Sequence, residues 1–241
     1  MKYILITGVS RGLGLITAKK MLKNGFNVIG INRKTSKELN QLLRDYSESF
    51  IFIEFDFSEI DKIKKEVFLP ILKQDKQIIG FINNAASAYD DIITNTNNAR
   101  LTNMFNINVL SPIMLTKYII RNMLLNRNAG SIVHISSISV HTGYKGLAMY
   151  AASKGALEAF SKNTAREWGI KKIRSNCVVA GFMETEMSSS LNIEQKSRIY
   201  NRTSLKSKTS IESVAETILF LISDKSKSIT GQNIFVDSGT I

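Results

Sequence analysis

The sequence predicts an α/β fold, with one doubly wound, seven-stranded parallel sheet and helices on both of its faces. Three observations predict it. Short apolar runs alternate with longer stretches of helical periodicity along the whole chain. The first run leads at once into a glycine-rich turn and a helix. No Ser/Gly/Pro-rich linker, low-complexity stretch or repeat divides the 241 residues, so a single domain over 1–241 is expected.

Tyr3-Ile-Leu-Ile6 is apolar without alternation, which suits a strand buried on both faces, near 3–7. Thr7-Gly8-Val9-Ser10-Arg11-Gly12-Leu13-Gly14 follows and opens a helix near 12–24. Further strands are expected near 27–31, 50–55, 78–82, 131–136, 173–179 and 233–236. Helices are expected near 36–46, 59–74, 97–126 (broken near Asn108), 150–168 and 210–223. Residues about 183–209 are rich in serine and lysine, with weak periodicity, and are expected to form a mobile segment of two short helices. Alternating strands and helices imply right-handed crossovers and a ligand site beyond the carboxyl ends of the strands. Gly8, Ile31, Asn83, Ser137 and Gly181 follow or end expected strands, so they converge on that edge.

Composition narrows the function classes. The 32 Lys+Arg against 20 Asp+Glu give a formal charge of +12, which steers acidic partners. The cations are spread along the chain and form no stripe with stacking aromatics, so no nucleic-acid partner is expected. No apolar run approaches the ~20 residues that span a bilayer, and the first strand leaves no room for a signal peptide. With one cysteine, Cys177, in an expected buried strand, a cytoplasmic protein without disulfide or metal site is predicted.

Tyr150 and Lys154 stand four apart in Tyr-Ala-Ala-Ser-Lys, and Ser137 lies thirteen residues earlier. On a helix, positions i and i+4 share a face, so phenol and ammonium can enter one cleft. A nearby cation favours the phenolate, so Lys154 is expected to lower the Tyr150 pKa toward the working range. A serine hydroxyl close by can hold a carbonyl oxygen. The glycine turn after the first strand is a phosphate site: its glycines admit close approach and the helix start favours an anion.

Together these motifs resemble the short-chain dehydrogenase/reductase family. Further stretches match in order over nearly the whole chain: Asn83-Asn84-Ala85-Ala86, Asn108-Val-Leu-Ser-Pro, Ile-Val-His-Ile-Ser-Ser137, Gly181-Phe-Met-Glu-Thr185-Glu-Met187 and Ile229-Thr-Gly-Gln-Asn-Ile-Phe-Val-Asp237-Ser-Gly. The resemblance implies a Rossmann-like fold and reversible hydride transfer between a nicotinamide and a carbonyl or secondary alcohol. It assigns Asn108, Ser137, Tyr150 and Lys154 to catalysis. It assigns Gly8, Ser10, Arg11, Gly12, Leu13, Gly14, Asn32, Arg33, Asp56, Phe57, Asn84, Ala85, Ala86, Tyr150, Lys154, Gly181, Met183 and Thr185 to the cofactor. Ser137, His141, Tyr144, Tyr150 and Met183 are expected to meet substrate. Ser136 rivals Ser137, but neighbours on a strand face opposite ways, and the family spacing favours Ser137. His134, inside a strand, is expected to be structural.

The second expected strand ends Ile29-Gly30-Ile31-Asn32-Arg33-Lys34, with no carboxylate where an NAD site has one. A guanidinium suits a 2′-phosphate, so Arg11 and Arg33 imply NADP(H) rather than NAD(H). Within the family the chain resembles 3-oxoacyl-[acyl-carrier-protein] reductases, which implies an acidic acyl-carrier protein as partner. In that subfamily Arg127, Lys171 and Lys172 lie on segments flanking the cleft entrance. The resemblance makes the segment of about 183–209 a mobile substrate lid, and departures fall on it and on the expected interface: Ala180 precedes Gly181, Ser204 to Ile211 lacks proline and glycine, and Ser238 stands within Asp237-Ser-Gly239. A sugar, polyol or secondary-metabolite ketone is the alternative substrate, and a nicotinamide-binding regulator without turnover the alternative class. A homotetramer is expected, built on 97–126 and 150–168, whose run Ile113, Leu115, Ile119, Ile120, Met123, Leu124 suits core and interface alike.

Overall fold

The computed structural model describes residues 1–185 and 192–241. Glu186 and Met187 of the Gly181 motif, and part of the expected lid, lie outside the described residues. The strands are β1 (Lys2–Thr7), β2 (Asn27–Asn32), β3 (Phe50–Glu54), β4 (Gln77–Asn83), β5 (Gly130–Ser137), β6 (Ile173–Ala180) and β7 (Asn233–Val236). They form one seven-stranded sheet in the order β3-β2-β1-β4-β5-β6-β7, with every neighbouring pair parallel. β1 pairs with β2 on one side and β4 on the other. The chain therefore reverses direction across the sheet there, which opens a crevice at the carboxyl edge.

The helices are α1 (Gly12–Lys23), α2 (Lys37–Asp45), α3 (Leu69–Lys73), α4 (Asn98–Phe105), α5 (Ser111–Leu125), α6 (Ala148–Trp168), α7 (Ile193–Arg202) and α8 (Ile211–Ile222). Ile4 and Ile6 face a core shared with α1, α2 and α8. Tyr3 and Leu5 face the opposite core, shared with α3 and α5. Burial on both faces explains the unbroken apolar run, at roughly 1.5–3 kcal/mol per large side chain.

Two expected helices are interrupted, each at a proline. In place of one helix over 59–74, a 3-10 turn (Ile60–Lys62) and a π-helical segment (Ile63–Phe68) precede α3. Pro70 has no N–H for the Glu66 carbonyl, so an unbroken α ladder cannot form. The 97–126 stretch divides into α4, a π segment (Asn106–Leu110) and α5. Here Pro112 withholds its donor from the Asn108 carbonyl, and the break falls where the sequence expects it. On α5, Leu115, Ile119, Ile120 and Met123 are buried in the chain's own core. That is the core half of a run whose spacing suits core and interface alike.

Arg127, Lys171 and Lys172 also need correcting. They precede β5 and β6, at the amino edge of the sheet, where the Gly130 N–H donates to the Lys172 carbonyl at 3.2 Å. The crevice lies at the opposite edge of this chain. Among the described residues, no helix is long and apolar enough to cross a membrane.

Candidate active site

The glycine turn is built for an anion. The Gly8 N–H donates to the Ile31 carbonyl at 2.8 Å. Gly8 has φ +77, a left-handed backbone that glycine adopts without strain. The chain then enters α1, whose N-cap, Arg11, is extended and makes no side-chain cap. A helix start without a side-chain cap favours an anion there. Gly14 admits no side chain, since a Cβ there would lie 2.0 Å from the Gly8 carbonyl oxygen. Asn84 Nδ2 donates to the Thr7 and Gly8 carbonyls at 3.0 and 3.1 Å, and the Asn84 and Ala85 N–H groups donate to Thr7 Oγ1. The Asn84-Ala85-Ala86 segment is thus pinned to the turn. The Ser10 carbonyl accepts from Ser36 Oγ at 2.7 Å. Leu13 is buried in the core, so only its backbone can meet a cofactor.

At the far end of the crevice, Asn32 Nδ2 donates to the Lys34 carbonyl at 2.9 Å. Arg33 lies 3.8 Å from the Asp56 carboxylate, and both side chains are exposed. Such a pair is worth under about 1 kcal/mol, so the guanidinium can turn to a stronger anion. Asp56 also accepts from the N–H and hydroxyl of Ser58, both at 2.8 Å. The Phe57 ring packs edge-on to Phe55 in the core, which leaves only its backbone to face a ligand.

Tyr150 and Lys154 lie one turn apart on α6, with the ammonium 5.7 Å from the phenol ring centroid. Lys154 is buried and donates to the Ile135 carbonyl at 2.8 Å. Its burial pushes its pKa down to about 8. The Tyr150 phenol moves opposite to expectation: burial first, and then the Asp90 charge, push it up to about 12. The phenol is half-buried against Tyr89, Met104 and Met149, and this desolvation, not the lysine, sets the direction. A phenol held protonated is a proton donor at neutral pH.

Ser137 lies at the end of β5, where its Oγ accepts from the Ser139 N–H at 3.2 Å and Oγ–H at 3.0 Å. Its own proton can then point to a ligand. Ser136 faces the other way and bonds Glu158 on α6, as strand alternation requires. Asn108 is fully buried. Its Nδ2 donates to the Ser87 carbonyl (2.9 Å) and to Ser153 Oγ (3.0 Å), and its Oδ1 accepts the Ser87 N–H (2.8 Å). Asn108 therefore joins the loop after β4 to α6. His134 is buried between Phe81 and Phe160, with Nδ1 3.2 Å from Asn83 Nδ2. Burial and the Lys154 charge push its pKa down to about 3, so it stays neutral.

Gly181 hangs from the Val236 carbonyl at 2.9 Å. Met183 packs against the α1/α8 core, and Thr185 reaches the turn: a Cβ on Gly12 would lie 3.8 Å from Thr185 Cγ2. Tyr144 is half-buried in the loop before α6. His141 is taken up by Glu158 at 3.0 Å and lies edge-on to Phe235, with ring centroids 4.8 Å apart. Sequence reasoning missed Ser139, Ser153, Ser87, Asp90 and Glu184. Only Ser153 and Glu184 lie inside recognised motifs, where their polar character was a usable signal.

A family model described as Enoyl-(Acyl carrier protein) reductase matches residues 8–240. The chain belongs to the short-chain dehydrogenase/reductase family. This short-chain dehydrogenase/reductase is 32% identical over 240 residues to 3-oxoacyl-[acyl-carrier-protein] reductase FabG of Buchnera aphidicola subsp. Schizaphis graminum, covering 99% of this chain and 96% of that protein. It is 30% identical over 237 residues to Carbonyl reductase [NADPH] 2 of Sus scrofa, covering 98% and 94%. A solved structure, 4-hydroxyisoleucine dehydrogenase complexed with NADH, superposes with a TM-score of 0.91 at 26% identity, covering 100% of this chain and 98% of that one. The chain is thus an oxidoreductase of a family that binds nicotinamide cofactors. The α1 start without a side-chain cap, and Gly12, where an added Cβ would meet nothing among the described residues nearer than Thr185 at 3.8 Å, are the features that fit such a group.

Proposed function

We propose that this protein is an NADP(H)-dependent reductase acting on the CH–OH/C=O pair of a 3-oxoacyl thioester carried by an acyl-carrier protein. The observation that carries the reading is the Tyr150 phenol one helix turn from the buried Lys154, whose ammonium lies 5.7 Å from its ring, at the edge where the glycine turn opens. When bound, the nicotinamide supplies or accepts the hydride. Tyr150 gives its proton to the carbonyl oxygen. Ser137 donates a hydrogen bond to that oxygen and orients it. Lys154 would hold the cofactor's ribose hydroxyls, and Asn108 fixes the floor on which α6 rests. The names of the FabG relatives support the substrate. Arg198, Arg202 and Lys206, on and after α7, offer an acidic carrier a cationic approach at this edge. Arg127, Lys171 and Lys172, at the other edge, can serve a cleft only across a subunit boundary.

Arg33 and Arg11 flank the place for a 2′-phosphate. Titration followed by nicotinamide fluorescence is expected to show NADPH at least tenfold tighter than NADH, with 3-oxoacyl thioesters reduced thereafter. Arg33→Asp is expected to weaken NADPH by roughly 10- to 100-fold and NADH by little. Equal weakening of both would show that Arg33 does not read the phosphate. The Ser204–Ile211 and Ser238 departures support a second reading, a sugar, polyol or secondary-metabolite ketone as substrate; inert 3-oxoacyl thioesters and a reduced small ketone would favour it. Cofactor binding without turnover on any carbonyl would point to a regulator. We also propose a cytoplasmic homotetramer, with a dimer next; light scattering that returns a monomer would reject both.

A further inference from the structure

The carboxylate of Glu184 gathers groups from two stretches of chain. The Tyr200 hydroxyl donates to it at 2.7 Å, the Lys208 ammonium bonds its other oxygen, and Lys196 lies 3.5 Å away. Lys196 and Tyr200 are four apart on α7, so one helix face meets the carboxylate. Lys208 lies on the stretch returning to α8, where the Thr209 N–H donates to the Phe182 carbonyl at 2.9 Å. The Tyr200 ring also meets Phe182, with centroids 6.0 Å apart. On its inner side, the same strap carries Thr185 against the glycine turn. The strap 181–185 is thus held by α7 outside and reaches the cofactor turn inside. Bonds from Lys208 and Tyr200 hold the Glu184 carboxyl down to about 2. Burial and the Glu184 carboxylate push the Tyr200 phenol up to about 12. Neither group changes charge between pH 5 and 9, so the contact does not titrate across the working range.

We propose that Glu184 is a positioning residue that couples docking of the helix α7 to retention of the cofactor at the glycine turn. The inference rests on the nicotinamide-dependent reading. If α7 stabilises the strap conformation that holds cofactor, then by linkage the cofactor stabilises docked α7 to the same degree.

The test measures NADPH affinity and release in Glu184→Gln, Tyr200→Phe and the double variant. Tryptic cleavage within 192–209 is the second readout. Each single variant is expected to bind NADPH roughly tenfold more weakly, mainly through faster release. The double variant is expected to be no weaker than the worse single one, because both remove one contact. NADPH should protect 192–209 from trypsin in the wild type and not in Glu184→Gln. At saturating cofactor, kcat should stay within about threefold, since no reacting group is touched. Unchanged affinity, additive losses or equal protection would each overturn the coupling. Should Glu184→Gln fail to fold, Tyr200→Phe combined with Lys208→Gln tests the same contact by the same criteria. A wild type that binds neither nicotinamide overturns the underlying reading and the coupling with it. Normal wild-type binding with unaffected variants overturns the coupling alone.

Discussion

Tyr150→Phe is expected to cut carbonyl reduction by roughly 10²–10⁴-fold while NADPH binding stays within about twofold. The substitution removes the hydroxyl alone. The ring packs against the Tyr89, Met104 and Met149 cluster and would keep those contacts. The phenol near 12 also sets the pH dependence. Reduction needs the protonated form, which persists from neutrality to beyond pH 10, so this group leaves the reductive rate flat there. Oxidation needs the phenolate, so its rate should climb with pH toward 12. Steady-state rates in both directions from pH 6 to 10.5, with fluorescence titration of the variant, check this. A Phe variant that retains a tenth of the reductive rate would remove Tyr150 from the role of donor.

Lys154→Met should be more stable than the wild type at pH 7, by about 1–2 kcal/mol, and inactive. Burial lowers the lysine from 10.5 to about 8 in the folded chain. Below about 8, both folded and unfolded chains hold the proton, and the cost of burying the charge is present in full. Between about 8 and 10.5 the unfolded chain binds more protons, so wild-type stability rises with pH. The gap corresponds to roughly 3 kcal/mol of burial penalty. Loss of the bond to the Ile135 carbonyl takes back about 1–2 kcal/mol. The variant's advantage should therefore be largest at pH 7 and shrink toward pH 10. Thermal unfolding of both proteins at pH 7 and 9.5 decides the matter. A variant less stable at pH 7 would mean that the ammonium is well solvated or compensated where it stands.

The strands were legible to within a residue or two, because both faces of a parallel sheet are buried and the apolar runs are unbroken. The expected 27–31 became Asn27–Asn32, and 131–136 became Gly130–Ser137. Helix continuity was less legible. Pro112 marked a break that the sequence anticipated, whereas Pro70 broke a stretch that periodicity read as continuous. Tyr150, Lys154 and Ser137 were legible because their relation is local, either one helix turn or one strand end. The direction of the Tyr150 shift was not, since burial depends on Asp90, Met104 and Met149, brought in by other loops and helices. Glu184 was visible as a residue but not as a contact, because Tyr200 and Lys208 reach it only after the chain has folded back.

The closure of the Gly8 turn by Asn84, seventy-six positions later, has a consequence for the abundance of the protein. An unfolded chain lacks this turn, so a nicotinamide held by it would bind the folded state in preference. At a thousand times its Kd, such a ligand adds about 4 kcal/mol to the free energy of unfolding. The lifetime of the protein in a cell would then follow the size of the nicotinamide pool. Starving that pool would deplete the enzyme itself as well as its turnover.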